Sequence, residues 1–309
     1  MDLRHLRTFV TVAETGTVSR AAQQLHIAQP ALSRQIAALE EELGVALFDR
    51  VGGRLVLSNA GARLLGDCRG LLNYARELGE RAQELRRPDA GVLQVAASPH
   101  FIDSVFPEFL RRYSKRFPAV QVTLRDIIGP DTIGLLERGE IHVAQVSPRL
   151  LRPGQQHVAS DPLPAVEMLA CCHPDLPIGR GGTVEIETLA PYPLLQTGAE
   201  YVIRRTFDAA CRLAGFEPNN ALESRAPHAL LAMAEAGHGV AIIPSALRTH
   251  RYFLRIARVT YRRKVIREPL CLVHDRRRPQ PAYAVAFREM LAAYARSVFP
   301  VTKPVEPKR

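Results

Sequence analysis

Apolar positions in the first 43 residues fall into three helical stripes separated by turn residues. Leu3, Leu6, Val10 and Ala13 share the first, with Asp2 as its cap and Gly16 as its stop. Ala21, Ala22 and Leu25 mark a second, short helix with Ser19 as its expected cap. After the turn His26-Ile27-Ala28 a third helix begins, with Pro30 in its first turn, where a missing N–H does no harm. Leu32, Ile36, Leu39 and Leu43 form its stripe, and Gly44 ends it. Two short β-prone runs then flank Gly52-Gly53, which predicts a hairpin.

Residues 58–87 contain no proline, and Pro88 closes the stretch. One helix of ~45 Å fits there. Leu64, Cys68, Leu71, Ala75, Leu78, Ala82 and Leu85 repeat at alternating spacings of four and three. Charged residues, among them Arg76, Glu77, Glu80, Arg81 and Glu84, surround this seam. It is read as a contact between two copies of the chain.

From residue 89 onward, short β-rich runs alternate with helical ones. Strands are expected at 91–97, 120–124 and 141–146, with helices at 106–117 and 132–138. A second set has strands at 168–172, 193–196 and 240–243 and helices at 203–214 and 228–236. Residues 270–273 return to the first sheet, a last helix spans 282–298, and the polar tail 302–309 is expected to fray. Strand–helix–strand repeats imply parallel pairing. Two such lobes place a cleft between them, where ligands favour binding.

The chain of 309 residues carries a net charge of +10, which suits nucleic acid or anionic ligands. That charge does not sit at the N-terminus: residues 1–87 hold twelve Arg against ten acidic residues. The densest basic run lies at 248–267. The five cysteines, Cys68, Cys171, Cys172, Cys211 and Cys271, form no CxxC pair, and no metal site or disulfide framework is expected. Cys171 and Cys172 lie in an apolar run and read as core. Met1 leads directly into charged helical residues, and no apolar run is long enough for a membrane span. A cytoplasmic protein without membrane contact is expected.

A short helix, a tight turn and a second amphipathic helix make the helix-turn-helix pattern. Gln29, Pro30, Ala31, Ser33 and Arg34 sit at the start of the third helix, off its apolar stripe, where a recognition helix meets base edges. Gln29 can bond adenine in two places, Arg34 can bond guanine or a phosphate, and Pro30 and Ala31 can touch a thymine methyl. Next to that helix the hairpin would be a wing, with Arg50 and Arg54 near the DNA backbone.

The segment from Leu3 to Gly61 resembles the DNA-binding region of LysR-type transcriptional regulators. The resemblance rests on Leu3-Arg4-His5-Leu6-Arg7-Thr8-Phe9, Ser19-Arg20-Ala21-Ala22, Gln29-Pro30-Ala31-Leu32-Ser33-Arg34-Gln35-Ile36, Leu39-Glu40, Leu43-Gly44, Leu47-Phe48-Asp49-Arg50 and Ala60-Gly61. It departs at Ala28, where Ser is common, at Gly53, where a wing Arg is common, and at Ser58 in place of Thr. The resemblance implies a multidomain α/β protein in three parts. These are a winged helix-turn-helix over 1–58, a linker and dimerisation helix over 59–88, and an effector domain over 89–309. Lobe I of that domain would cover about 89–160 and 268–300, and lobe II about 161–267, an architecture like that of periplasmic binding proteins.

Further implications follow from the family. Residues matching Ser19, Arg20, Gln29, Pro30, Ala31, Ser33, Arg34, Arg50 and Arg54 would contact double-stranded DNA. Ser98, His100, Gly129, Thr197, Tyr201 and Ile203 would meet a small-molecule effector. Apart from the family, Ser98-Pro99-His100 would open a helix whose N–H groups favour a carboxylate, and an anionic metabolite is expected. Gly129 stands where Ser or Thr is usual, and His142 where Asp is usual. Homodimers or homotetramers and RNA polymerase are the implied protein partners, and no cofactor is implied. An enzyme finds no support in the sequence, which lacks GxSxG, HExxH, the P-loop pattern and GxGxxG after a strand. A solute-binding protein would account for 89–309 only.

Overall fold

The computed structural model describes residues 2–51, 54–84, 86–87, 89–127, 129, 131–179 and 181–305, with the backbone alone for Arg50, Arg54, Glu80, Arg81, Gln83 and Glu84. Gly52, Gly53, Leu85 and Pro88, singled out above, lie outside the described residues, as do 306–309 of the tail. The chain divides into two compact units, Met1–Arg86 with Glu137–Glu140, and Arg87–Leu136 with Ile141–Arg309.

The first unit begins with α1 (Leu3–Thr15), α2 (Val18–Leu25) and α3 (Gln29–Leu43). Asp2 caps α1 and Gly16 ends it in the left-handed conformation, as the sequence predicts. The cap of α2 is Thr17, whose side chain accepts Arg20 N–H, and Ser19 lies inside the helix instead. A cap hydroxyl must precede the first helical residue to reach a free N–H two or three places on, and α2 starts earlier than its apolar pattern indicates. Leu6, Phe9, Ala21, Leu32, Ile36 and Leu39 form a common core with Leu47 and Phe48. Phe9 and Phe48 meet edge-on at 5.4 Å between ring centres, joining α1 to the hairpin.

Strands β1 (Phe48–Val51) and β2 (Arg54–Leu57) pair antiparallel, Phe48 opposite Leu57. Ser58 then caps α4 (Asn59–Glu84) by accepting Gly61 N–H at 2.9 Å. Glycine is required at 61: an added Cβ would lie 2.1 Å from the Leu47 carbonyl oxygen. Helix and hairpin therefore pack backbone to backbone.

The coiled-coil seam drawn from the sequence divides between two environments. Leu64 packs on the core of the first unit, and Cys68, 5% exposed, is part of it. Cys68 therefore cannot offer surface to a second chain, which corrects its assignment. Its partners are the apolar side chains of α1–α3, reached at a four-residue step by Leu64, Cys68 and Leu72. Farther along, Leu71 and Leu78 are 45% and 60% exposed, and Tyr74 between them 53%. Arg69 fastens the helix to α1 through Glu14 Oε1, at 2.9 and 3.1 Å.

The second unit contains both α/β lobes. Lobe I holds β3 (Ala90–Ala97), α5 (Pro99–Ser104), α6 (Phe106–Arg116), β4 (Ala119–Asp126), α7 (Asp131–Glu137) and β5 (Val143–Val146). The long β6 (Val158–Cys172) then crosses into lobe II, which holds β7 (Thr183–Glu185), β8 (Leu194–Gln196), α8 (Val202–Leu213), β9 (Asn220–Glu223), α9 (Pro227–Glu235), β10 (Val240–Pro244), β11 (Arg255–Tyr261) and β12 (Lys264–Val265). The chain returns along β13 (Arg267–Asp275) and ends with α10 (Ala282–Val298).

The lobe I order is β4-β3-β5-β13-β6, parallel among β4, β3 and β5. In lobe II, β10-β8-β9 is likewise parallel. The crossing strands differ from the parallel expectation: β13 runs antiparallel to both β5 and β6, and β6 antiparallel to β10 and β11. They must, because one leaves lobe I and the other re-enters it. Lobe I buries Phe101, Phe106, Phe109, Tyr113, Tyr283 and Phe287 in one aromatic core.

Two further expectations change. Residues 302–305 of the tail do not fray: Thr302 is buried, donates to the Leu247 carbonyl, and Val305 bridges Ile256. The basic run 248–267 contains β11, missed because arginines interrupt its apolar residues. His142 acquires a structural account: its Nδ1 accepts Gln94 N–H at 3.0 Å while its own backbone N–H reaches the Gln94 carbonyl at 2.9 Å. Cys171 and Cys172 are fully buried, and burial pushes both thiols up, Cys172 to about 12.

Candidate functional site

The helix-turn-helix presents a polar surface opposite its core. Ser19, Arg20, Gln29, Pro30, Ser33 and Arg34 are exposed and Ala31 is half-buried. The reason is periodic: Leu32, Ile36 and Leu39 turn inward and leave residues 29, 30, 33 and 34 on the opposite side of α3. Gln29 Nε2 donates to Ser19 Oγ at 3.1 Å, so the starts of α2 and α3 face the same patch. Thr8 Oγ1 donates to Gln35 Oε1 and locks α3 against α1. Arg50 and Arg54 lie on β1 and β2, with backbone positions only.

The second candidate lies between the lobes. A cavity of about 60 Å³ is lined from lobe I by Ser98, His100, Gly129 and Gln145, and from lobe II by Tyr201 and Ile203. Five of the six effector residues expected from the sequence thus meet at one place. Thr197 does not line it. It is 3% exposed at the end of β8, and its carbonyl is held by Arg204 Nη1 at 2.9 Å. Gly129 has φ +86°, a conformation that strains any Cβ, which explains why no hydroxyl-bearing residue stands there.

Ser98 is held in place by its neighbours. Its Oγ donates to Gln145 Oε1 at 2.8 Å and lies 3.2 Å from His100 Nε2. His100 is 7% exposed, and burial pushes its imidazole down to about 4, so it is neutral at neutral pH. Tyr201 donates to the Arg225 carbonyl at 2.9 Å. Burial, then the charges of Asp126 and Glu200, raise its phenol to about 12.

Sequence reasoning missed Gln145, Ser147 and Glu268, because nothing in the linear pattern brings β5 and β13 to one wall. Glu268 is 3% exposed at the start of β13 and lines the cavity. Ser147 Oγ donates to its Oε1 and Thr206 Oγ1 to its Oε2, both at 2.6 Å. One carboxylate on a crossing strand thereby joins lobe I to α8 of lobe II.

The lining does not match an anionic effector. Among the described residues it includes no Arg or Lys, and it includes a carboxylate. Three arginines of the basic run 248–267 are engaged away from the cavity. Arg258 and Arg267 grip Glu167 at 2.6 and 3.0 Å, and Arg255 donates to the Pro174 carbonyl.

Comparisons with known proteins agree with this architecture. Residues 3–62 match the bacterial regulatory helix-turn-helix protein, lysR family, and residues 86–296 the LysR substrate binding domain. The chain is 31% identical over 248 residues to the HTH-type transcriptional regulator AlsR of Bacillus subtilis, covering 80% of this chain and 81% of that one. It is 30% identical over 257 residues to the regulator TfdS of Cupriavidus pinatubonensis, covering 80% and 83%. Among solved structures, full-length CbnR complexed with its target DNA superposes with a TM-score of 0.69 at 27% identity, over 95% of this chain and 100% of that one. A full-length OxyR variant from Pseudomonas aeruginosa shares the fold, with a TM-score of 0.72 at 22% identity over 100% and 99%. With a matching reading head, a matching two-lobed domain and relatives along most of its length, the chain belongs to the LysR family of DNA-binding transcription regulators.

Proposed function

We propose that the chain reads an interrupted palindromic operator as a dimer or tetramer, using Gln29, Pro30, Ala31, Ser33 and Arg34 at the base edges. Ser19, Arg20, Arg50 and Arg54 serve the phosphates and the minor groove. A small molecule in the cavity between the lobes alters this binding, and RNA polymerase is the downstream partner. The observation that carries the reading is the exposed polar patch at the joined starts of α2 and α3, backed by the apolar core of the three helices. A helix N-terminus there adds backbone N–H groups for a phosphate. One such domain makes few contacts, and two in fixed geometry add their free energies over two half-sites. The exposed Leu71 and Leu78 on α4 support pairing through that helix.

The test is genome-wide mapping of DNA fragments retained by the purified protein at about 150 mM salt, where nonspecific binding is reduced. Enrichment of one interrupted palindrome is expected, and its neighbouring genes would nominate the effector's pathway. Uniform retention of all fragments would instead make the domain an architectural binder.

A further inference from the structure

The inner wall of the cavity is unusual in its charge. Glu268 is nearly dry, yet it is not satisfied within a closed ion pair. Its two oxygens offer about four acceptor positions. Two are filled by Ser147 and Thr206, and Arg149, itself 61% exposed, approaches Oε1 only to 3.4 Å. The cavity side of the group therefore keeps acceptor capacity. Leu270, Val166 and Ile203 surround it with apolar surface.

Beside the cavity lining, Asp126 and Glu200 bear on Tyr201 together with Arg225, which pairs with Glu200 at 2.9 Å. Burial and then Asp103 raise the Asp126 carboxyl, against the opposing charge of Arg225. His100 adds no positive charge at neutral pH. Among the described residues the lining includes no Arg or Lys. Arg149, Arg152 and Arg205 border an adjoining open recess that shares Leu150 and Val202 with the cavity. A carboxylate pushed inward would meet Glu268 as a like charge in a low-dielectric site. An N–H or O–H donor there would complete the acceptor instead, with a charge-assisted bond if the donor is an amine.

Resting on the reading that this cavity binds the effector, we propose that it selects a compact, largely apolar molecule whose buried end is a hydrogen-bond donor to Glu268, an amine, hydroxyl or amide N–H, and that it discriminates against the matching carboxylate.

The test uses the full-length protein and matched sets on one skeleton: benzylamine, benzyl alcohol and benzamide against benzoate, and the cyclohexyl equivalents. Thermal shift and calorimetry near neutral pH give the ranking. At least one donor-bearing member is expected to bind about tenfold tighter than its carboxylate. Ile203→Trp, which fills the cavity, is expected to abolish that binding, and Glu268→Gln to weaken the amine by about tenfold. Equal or tighter binding by a carboxylate overturns the proposal, and if Ile203→Trp removes that binding, the cavity reading survives without it. Donor binding lost in Ile203→Trp but unchanged in Glu268→Gln has the same meaning. Donor binding untouched by Ile203→Trp overturns the cavity reading itself. No response from any member overturns the proposed ligand class. The ranking in the parent protein decides the matter even if Glu268→Gln fails to fold.

Discussion

Glu40 Oε1 accepts the backbone N–H of Leu47 at 2.7 Å, and the same oxygen accepts Phe48 N–H at 3.1 Å. A single carboxylate near the end of α3 thereby fixes the start of the hairpin, and the hairpin's angle to α3 depends on it. Glu40→Ala leaves two backbone donors without this partner. Losing hydrogen bonds to a charged group costs about 1–3 kcal/mol, and partial exposure of the site places the expected loss at the lower end. Urea unfolding followed by circular dichroism should show it. Operator affinity should fall further than stability alone explains, because a misplaced wing loses its backbone contacts. An unchanged unfolding midpoint would mean that water replaces the carboxylate without cost.

Arg34 is exposed on α3 between the buried Leu32 and Ile36, and its role divides cleanly between two chemistries. If it forms a paired bond to guanine, Arg34→Ala should lose about 1–3 kcal/mol on the operator and relax the preference at one base pair. If it holds a phosphate, affinity should fall equally on operator and random DNA, with a salt dependence shallower by about one unit. We expect the first outcome. Binding isotherms on single-substitution operators at several salt concentrations separate the two.

Much of this organisation is legible in the sequence because it rests on periodicity. The stripe Leu32, Ile36, Leu39 fixes both the core of α3 and its outward face, and Asp2, Gly16 and Gly44 bound helices through local backbone chemistry. What stays hidden depends on distant segments. Cys68 carries a seam position in sequence, but the cores of α1–α3 claim it. Thr197 aligns with the cavity, but Arg204 holds it elsewhere. The acidic wall is invisible for the same reason: Ser147, Thr206 and Glu268 are separated by up to 121 residues and meet only when β13 returns to lobe I. The anionic expectation follows the net charge, whereas the described lining of the cavity carries a carboxylate and no Arg or Lys.

The apolar surface on α4 gives a prediction about assembly. Leu71 and Leu78 remain 45% and 60% exposed on one face of the helix, one heptad apart, which is about two full turns. Leu71→Asp places a charge in that face. It should leave the fold of each chain intact, since the site is not part of the buried core, and shift sedimentation from dimers or larger species to monomers. Operator binding should disappear with the dimer. Intact dimers in the variant would exclude this face of α4 as the pairing surface.

Acid sensitivity follows from His100. Burial holds its imidazole down to about 4, against an ordinary value near 6.5. Between those values the unfolded chain binds a proton that the folded one excludes, so stability rises with pH across the window and is lost as pH falls from about 6.5 toward about 4. The full effect of such a shift is on the order of 3 kcal/mol, an upper bound because the cavity can admit water. His274, lowered by burial and by Arg288, acts in the same direction. Carboxyls lowered by arginine partners, such as Glu167 and Asp275, contribute only at more acidic pH, below their ordinary range. The comparison of parent with His100→Gln isolates the one imidazole. Urea unfolding at successive pH values should give a profile for the variant that is flatter between about pH 6.5 and 4.5, with His274 and, in the opposite sense, the raised Asp126 contributing to the remaining slope. Parallel profiles would mean that His100 titrates in the folded protein near its ordinary value, so that the cavity would gain a positive charge beside Ser98 only below about pH 6.5.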